Sequence, residues 1–414
     1  ILYFPKLKKN FEVQKDKIQL YSNQVFVTDN VGEIVPEYLT LLHGVIDSPD
    51  IPLNVSRSYL QSDGNVKKIN QHISKKVSDK LQEIFNNDRK QFEEKWSDIG
   101  LFVKYGMISE EKFYERSNSF ALFPTTENAF YTFAELKEKI SPNQTDKDGN
   151  LIHLYTNDAE QQFSYIEAAK SKGYDVLLFD EQLDIHLASK LEQKNEKNRY
   201  VRVDADIVDK LILKDDKSTV SLSSDDQQAL SEVFRSQTPK QDKLNFLVTF
   251  DAIGADAYPV MITQDEFMRR MKEMAAMQGG MMGFYGSMPD SYNLVVNTDH
   301  ELVKSLLEEE KSSCSKAVKP KNDEIETLRK KVDELNTANK DKKQDEIPEA
   351  EKEIIKTSNE RISQLEKEKS EIYSKFADGN DKVRQLIDLA LLANNMLKGE
   401  ALSKFVKRST TFIK

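Results

Sequence analysis

The chain is 414 residues long and 31% charged, with 60 basic against 70 acidic side chains and a net charge of −10. That length implies about two to four ordinary domains. The acid excess argues against a general nucleic-acid binder, no apolar run approaches the ~18 residues of a membrane span, and no signal peptide is visible. The single cysteine, Cys314, has no partner for an internal disulfide, so a reducing cytoplasm is the expected compartment.

The opening "ILYFPKLKKN" lacks a starting Met and begins inside a strand-like apolar run, from which a fragment without its N-terminal part is expected. Ile18, Leu20, Val25 and Val27 alternate as in half-buried strands. "EYLTLLHGVID" (37–47) carries helix-like spacing. In "IPLNVSRSYLQ" (51–61), Asn54, Arg57 and Gln61 share one face if a helix begins near Val55. A guanidinium there suits an anion, especially a phosphate. An ordinary surface arginine at a helix start fits the same spacing. Val66, Ile69, Ile73, Val77, Leu81 and Ile84 then predict a long amphipathic helix, and Phe92, Trp96, Leu101, Phe113 and Tyr114 extend a helical region to about 135.

After the turn-rich "SPNQTDKDGN" (141–150), strands at 151–156, 174–180 and 199–204 alternate with helices at 158–173 and 181–194, the first closed by Gly173. Alternation of this kind predicts a small parallel α/β layer. "KLNFLVTF" (243–250) reads as a strand, and a short strand and helix follow from "NLVVNTDHELVKSLLEEE". Residues 315–377 carry thin seams, Ile325, Leu328, Val332 and Leu335 against Ile355, Ile362, Leu365, Ile372 and Phe376, and predict an antiparallel helical hairpin. The last two helical stretches, around Gly399, hold more large aliphatics than a lone surface hairpin needs. Leu386, Leu389, Leu392, Met396, Leu402 and Phe405 are candidates for an interface with a second copy. The expected class is an α/β and α+β multidomain protein.

Eight of the ten methionines fall between 261 and 288. A capping box from Thr263 to Glu266 would open a helix with Phe267, Met271 and Met274 on one side, bordered by Met268 and Met277. Such a face can adapt to dissimilar apolar partners, or it can fill the domain's own core. The five histidines (43, 72, 153, 186, 300) lack ligand spacing, Cys314 sits in a charged neighbourhood without a dyad partner, and no metal site or self-contained active site is evident.

"VFVTDN" together with "EIVPEYLTLLHGVIDSPDIPLNVSRSYLQ", within 25–61, closely resembles the middle-domain signature of the 90-kDa heat-shock protein chaperones. "GYDVLLFDEQLD" (173–184), "FMRRMKEM" (267–274), "VVNTDHELVKSL" (295–306) and "LIDLALLANNMLKGEALSKFV" (386–406) resemble later parts in the right order. The likeness covers nearly the whole chain; the hairpin at about 315–377 departs from the family's shorter connection. The resemblance implies a middle domain in two parts, 1–138 and 139–215, and a C-terminal dimerisation domain, 216–414. It implies an ATP-dependent chaperone whose N-terminal ATP-binding domain is absent, with ATP and magnesium bound by the full-length protein and no cofactor bound by this fragment alone. Arg57 would contact the γ-phosphate, Gln61 would assist, and Asn54 would support the loop, as an arginine finger does. The fragment alone should not hydrolyse ATP. Client proteins would meet Phe267, Met268, Met271, Met274 and Met277. Trp96 would be a further client contact or a partly buried anchor. The implied partners are a second copy, through the C-terminal domain, and clients. The rival expectation is a non-catalytic dimeric scaffold with docking surfaces. A self-sufficient small enzyme would need a catalytic constellation that the sequence lacks.

Overall fold

A computed structural model describes residues 1–5, 18–32, 34–40, 42–49, 64–214, 220–240, 243–278, 286–340 and 347–412. The chain divides into two compact units, Ile1–Val203 with Lys210–Lys214 and Asp204–Asp209 with Asp215–Lys414.

The first unit opens with strands β1 (Leu2–Tyr3), β2 (Ile18–Ser22), β3 (Val25–Thr28) and β4 (His43–Asp47), in the order β1-β4-β2-β3. Ile18 and Leu20 point into the core while Gln19 faces solvent, the expected period of two. Asn23 and Gln24, at φ 51° and 67°, close the β2–β3 hairpin in the left-handed conformation that two-residue turns favour. The helix expected over 37–47 does not form. Only Glu37–Leu39 make a 3₁₀ turn, and β4 follows, parallel to β2 and antiparallel to β1. Tertiary pairing decides this: Val45 and Ile46 register with Gln19 and Leu20. At Gly44 (φ 141°) the backbone of Ile1 passes so close that a Cβ would lie 2.1 Å from its carbonyl oxygen.

Helices α1 (Gly64–Asn87), α2 (Arg89–Glu94), α3 (Trp96–Ser109) and α4 (Glu111–Ser117) form the predicted helical cluster, with Leu81 of the α1 seam buried and Ile69, Ile73, Val77 and Ile84 packed beside it. Trp96 is 4% exposed, with its ring 5.9 Å from Phe92 and its indole over Gly100. Of its two expected places, client contact or partly buried anchor, the ring is found packed in the core. Short strands β5 (Phe123–Pro124) and β6 (Phe130–Tyr131) lead into α5 (Phe133–Gln144), opened by a reciprocal capping box between Thr132 and Glu135.

Next come β7 (Leu151–Thr156), α6 (Phe163–Ser171), β8 (Val176–Leu178), α7 (Asp184–Lys194) and β9 (Asn198–Arg202). The three strands are parallel in the order β8-β7-β9, and Gly173 ends α6 at φ 73°. All six residues of β7 are buried, as a strand covered on both faces requires. Its His153 stacks 4.5 Å from Tyr200, with Phe133 on the other side and Phe179 beyond Tyr200. His153 Nε2 lies 2.9 Å from Asn198 Oδ1, an acceptor that makes Nε2 the donor, and Nδ1 is left without a partner. Burial holds the imidazole down to about 4, against a partial upward pull from Asn198. The unfolded chain therefore binds this proton first, so stability is full above the unfolded value near 6.5 and falls as the pH drops from there towards 4. His153→Gln is expected to flatten that decline by about 3 kcal/mol. Urea midpoints measured at pH 7 and pH 4.5 check this, and an unchanged pH slope would refute it.

A single turn, α8 (Val208–Leu211), straddles the boundary between the two units. In the second unit, α9 (Ser224–Gln237) is capped by Ser223, whose hydroxyl accepts from the Asp226 N–H. Strands β10 (Leu244–Asp251), β11 (Val260–Thr263) and β12 (Asp290–Asn297) form a sheet of order β10-β12-β11, with α10 (Glu266–Gln278) inserted before β12. Helix α11 (Glu301–Ala338) and helix α12 (Glu349–Asp378) run antiparallel, tied by Lys321–Glu368, Glu324–Arg361 and Arg329–Glu366. The hairpin was expected from 315; α11 instead starts at Glu301 and continues through Pro320. Its root is anchored in the core by Val318, Tyr373, Ala377 and Cys314, whose burial pushes the thiol up to about 11. That places Cys314 in a packed interior, where an un-ionised thiol is inert. Helices α13 (Asp381–Ala393) and α14 (Gly399–Phe412) close the chain around Gly399 at φ 59°.

Candidate functional site

Helix α10 combines buried arginines with an exposed phenylalanine. The expected capping box does not open it, because Thr263 is the last residue of β11. Asp265 caps it instead, its carboxylate accepting from the Met268 N–H at 2.9 Å. Arg269 is 4% exposed and donates to Glu266 and Glu273, each at 2.7 Å; Arg270 donates to Glu266 at 2.6 Å. Spacings of three and four put these four charges on adjoining turns, so Glu266 and Glu273 accept from the buried guanidiniums within the helix. The aromatic group goes the other way. Phe267 is 61% exposed, while Met268, Met271 and Met274 are half-buried. The two guanidiniums of this helix thus lie inward, and a phenyl ring stands in water. Lys272 reaches Asp290 at 2.5 Å and pins α10 to the start of β12. The side chain of Met277 lies outside the described residues, as do Asn54, Arg57 and Gln61.

The six interface candidates separate by burial. Leu386 and Phe405 belong to the unit's own core; Met396 and Leu402 are half-buried beside them. Leu389 and Leu392 are exposed, and so is Val406, which sequence reading missed because it adjoins the inward Phe405. Arg408 holds α14 to α13 through Asp388 at 2.5 Å and Gln385 at 2.9 Å. Among the described residues no cluster of side chains could hold a metal ion, and no helix is long and apolar enough to cross a membrane.

Comparison with known proteins defines the class first. The family model described as Hsp90 protein matches residues 1–323. The chain belongs to the Hsp90 family. Among curated relatives it is similar to Chaperone protein HtpG of Bacteroides thetaiotaomicron, at 58% identity over 413 residues, 100% of this chain and 60% of the relative. Chaperone protein HtpG of Porphyromonas gingivalis is 50% identical over 409 residues, 99% of this chain and 60% of the relative. That of Alcanivorax borkumensis is 31% identical over only 180 residues, 43% of this chain and 29% of the relative. The chain thus spans about 60% of the length of the first two. The family model stops inside α11, whereas the Bacteroides alignment runs on across the charged hairpin.

Proposed function

We propose that this chain is the middle and C-terminal part of an ATP-dependent chaperone that holds partly unfolded proteins on α10. The observation that carries the reading is the composition of α10's surface: Arg269 and Arg270 are buried and donate to Glu266 and Glu273, while Phe267 is exposed. An exposed phenyl ring beside half-buried methionines offers an apolar surface that a segment of another protein can cover. Met268, Met271 and Met274 border it with polarizable side chains that fit varied apolar partners. On this reading 1–138 and 139–215 are the two parts of the middle domain and 216–414 is the dimerisation domain. Arg57, with Gln61 and Asn54, serves the γ-phosphate of ATP held with magnesium on an N-terminal domain outside this sequence. Leu389, Leu392 and Val406 meet a second copy, and the protein works in the cytoplasm.

The test is protection of a heat-unfolded reporter enzyme from aggregation, followed by light scattering. Phe267→Asp is expected to raise the concentration of chain needed for half-protection about tenfold, as loss of a central aromatic contact does. Equal protection by the variant would remove α10 from the reading.

A further inference from the structure

The sheet of the second unit treats its two edges differently. Strand β11, at one edge, has four residues and packs against α13. Strand β10, at the other, has eight, paired with β12 in unbroken parallel register from Leu244↔Asp290 to Asp251↔Asn297. One face of β10 is committed: Phe246 lies in the core with Leu294, Val296 and Ile262. On the opposite face Asn245 and Leu247 stand in water, Leu247 at 62% exposure. In a parallel pair every second residue turns its N–H and C=O away from the partner. Among the described residues nothing bonds to that outward side along Leu244–Phe250.

Folded proteins blunt such edges with lysine, proline, a bulge or a covering element. Helix α9 packs on β10, and charge stands only at the strand's ends, at Lys243 and Asp251; between them "LNFLVTF" has no lysine, proline or bulge, and its mix of Phe, Val, Leu and Thr is the composition that invites strand pairing. We propose that the free edge of β10 is a second docking site, one that takes an extended, uncharged segment of a partly unfolded polypeptide by adding it to the sheet as a further strand. The occupant follows from the chemistry of the edge. A row of main-chain donors and acceptors recognises a main chain, whatever its sequence, and Leu247 adds apolar contact on the exposed face. The proposal rests on the chaperone reading and deepens it, by naming the conformation in which part of the client is held.

The probes are a dye-labelled octapeptide of alternating threonine and valine, and its counterpart N-methylated at every residue, so that neither of its edges can donate to a ladder. Fluorescence anisotropy with the 414-residue chain measures both. The expected result is that the plain peptide binds, that N-methylation and Leu247→Lys each weaken binding about tenfold or more, and that Leu302→Lys, at another exposed leucine of the same unit, leaves it unchanged. Equal binding of the two peptides overturns the proposal, because capture would then be by side chains alone. So does binding that is lost only in Phe267→Asp, an outcome that leaves α10 and the chaperone reading intact. Absence of binding overturns it too, as does self-association that Leu247→Lys abolishes, which would make the edge a contact between copies. Conversely, ladder-dependent binding by a chain that protects no reporter would sink the chaperone reading while β10 remained a peptide site.

Discussion

Lys104→Ala is expected to cost about 3–5 kcal/mol of stability at pH 7, the range for stranding one member of a buried ion pair. Lys104 projects from α3 and places Nζ 2.6 Å from Asp184 Oδ1, at the start of α7, and 2.9 Å from Glu181 Oε2. Asp184 is fully buried, and its other oxygen accepts the Glu181 N–H at 2.9 Å. Burial by itself would depress the lysine, but Asp184 and Glu181 more than offset it and hold the ammonium above its ordinary range. That contribution is present throughout neutral pH and is lost only as the pH rises through the raised value. Remove the cation and Asp184 is left as a carboxylate in a dry site. Its remedy is to take up a proton, so the variant's deficit should shrink as the pH falls towards 4. Trp96 is the chain's single tryptophan and shares a core with Phe102, Val103 and Leu187, so its fluorescence in urea reports the unit concerned. A companion Lys104→Met with Asp184→Leu removes both charges at similar volume and should recover most of the loss. A single variant that costs less than about 1 kcal/mol would class the pair with ordinary surface bridges.

Neither Lys104 nor its partners was legible in the sequence, because nothing local marks a lysine whose partners lie about eighty residues on. What could be read was what local period determines. The α1 seam, the βαβ alternation over 151–204 and the two seams of the hairpin each repeat their pattern long enough to outvote single residues. Residues 37–47 failed that test for a tertiary reason: helix-like spacing lost to pairing with β2 and β1, with Gly44 accommodating the crossing of Ile1. The same limit applies to exposure. Spacing put Leu386, Leu389, Leu392, Met396, Leu402 and Phe405 on apolar stretches, but only packing could divide Leu386 and Phe405 from Leu389 and Leu392. On α10 the signal lies in the sequence itself. Glu266, Arg269, Arg270 and Glu273 have the spacing of a charge ladder within one helix, in which two guanidiniums turn inward and the phenyl ring outward.

On the proposed function, Arg57→Ala in the full-length protein should lower ATP turnover about tenfold or more while ATP affinity holds within about twofold. What matters is when the positive charge is needed. In phosphoryl transfer negative charge spreads over the equatorial oxygens as the bond to the leaving group lengthens, so a guanidinium that arrives with closure stabilises that state more than the ground state. Its planar fork suits phosphate oxygens in a way that an ammonium does not, so Arg57→Lys should recover only a small part of the rate. Gln61→Ala and Asn54→Ala should have smaller effects, since an amide supports the loop or the phosphate without carrying charge. The discriminating readout is the split between kcat and KM. A fall in kcat at constant KM places Arg57 in the transition state. A rise in KM alone would make it a ground-state anchor for ATP. Unchanged turnover would return Arg57 to an ordinary surface arginine and leave the dimeric scaffold, with α10 and β10 as its docking surfaces, as the better account of this chain.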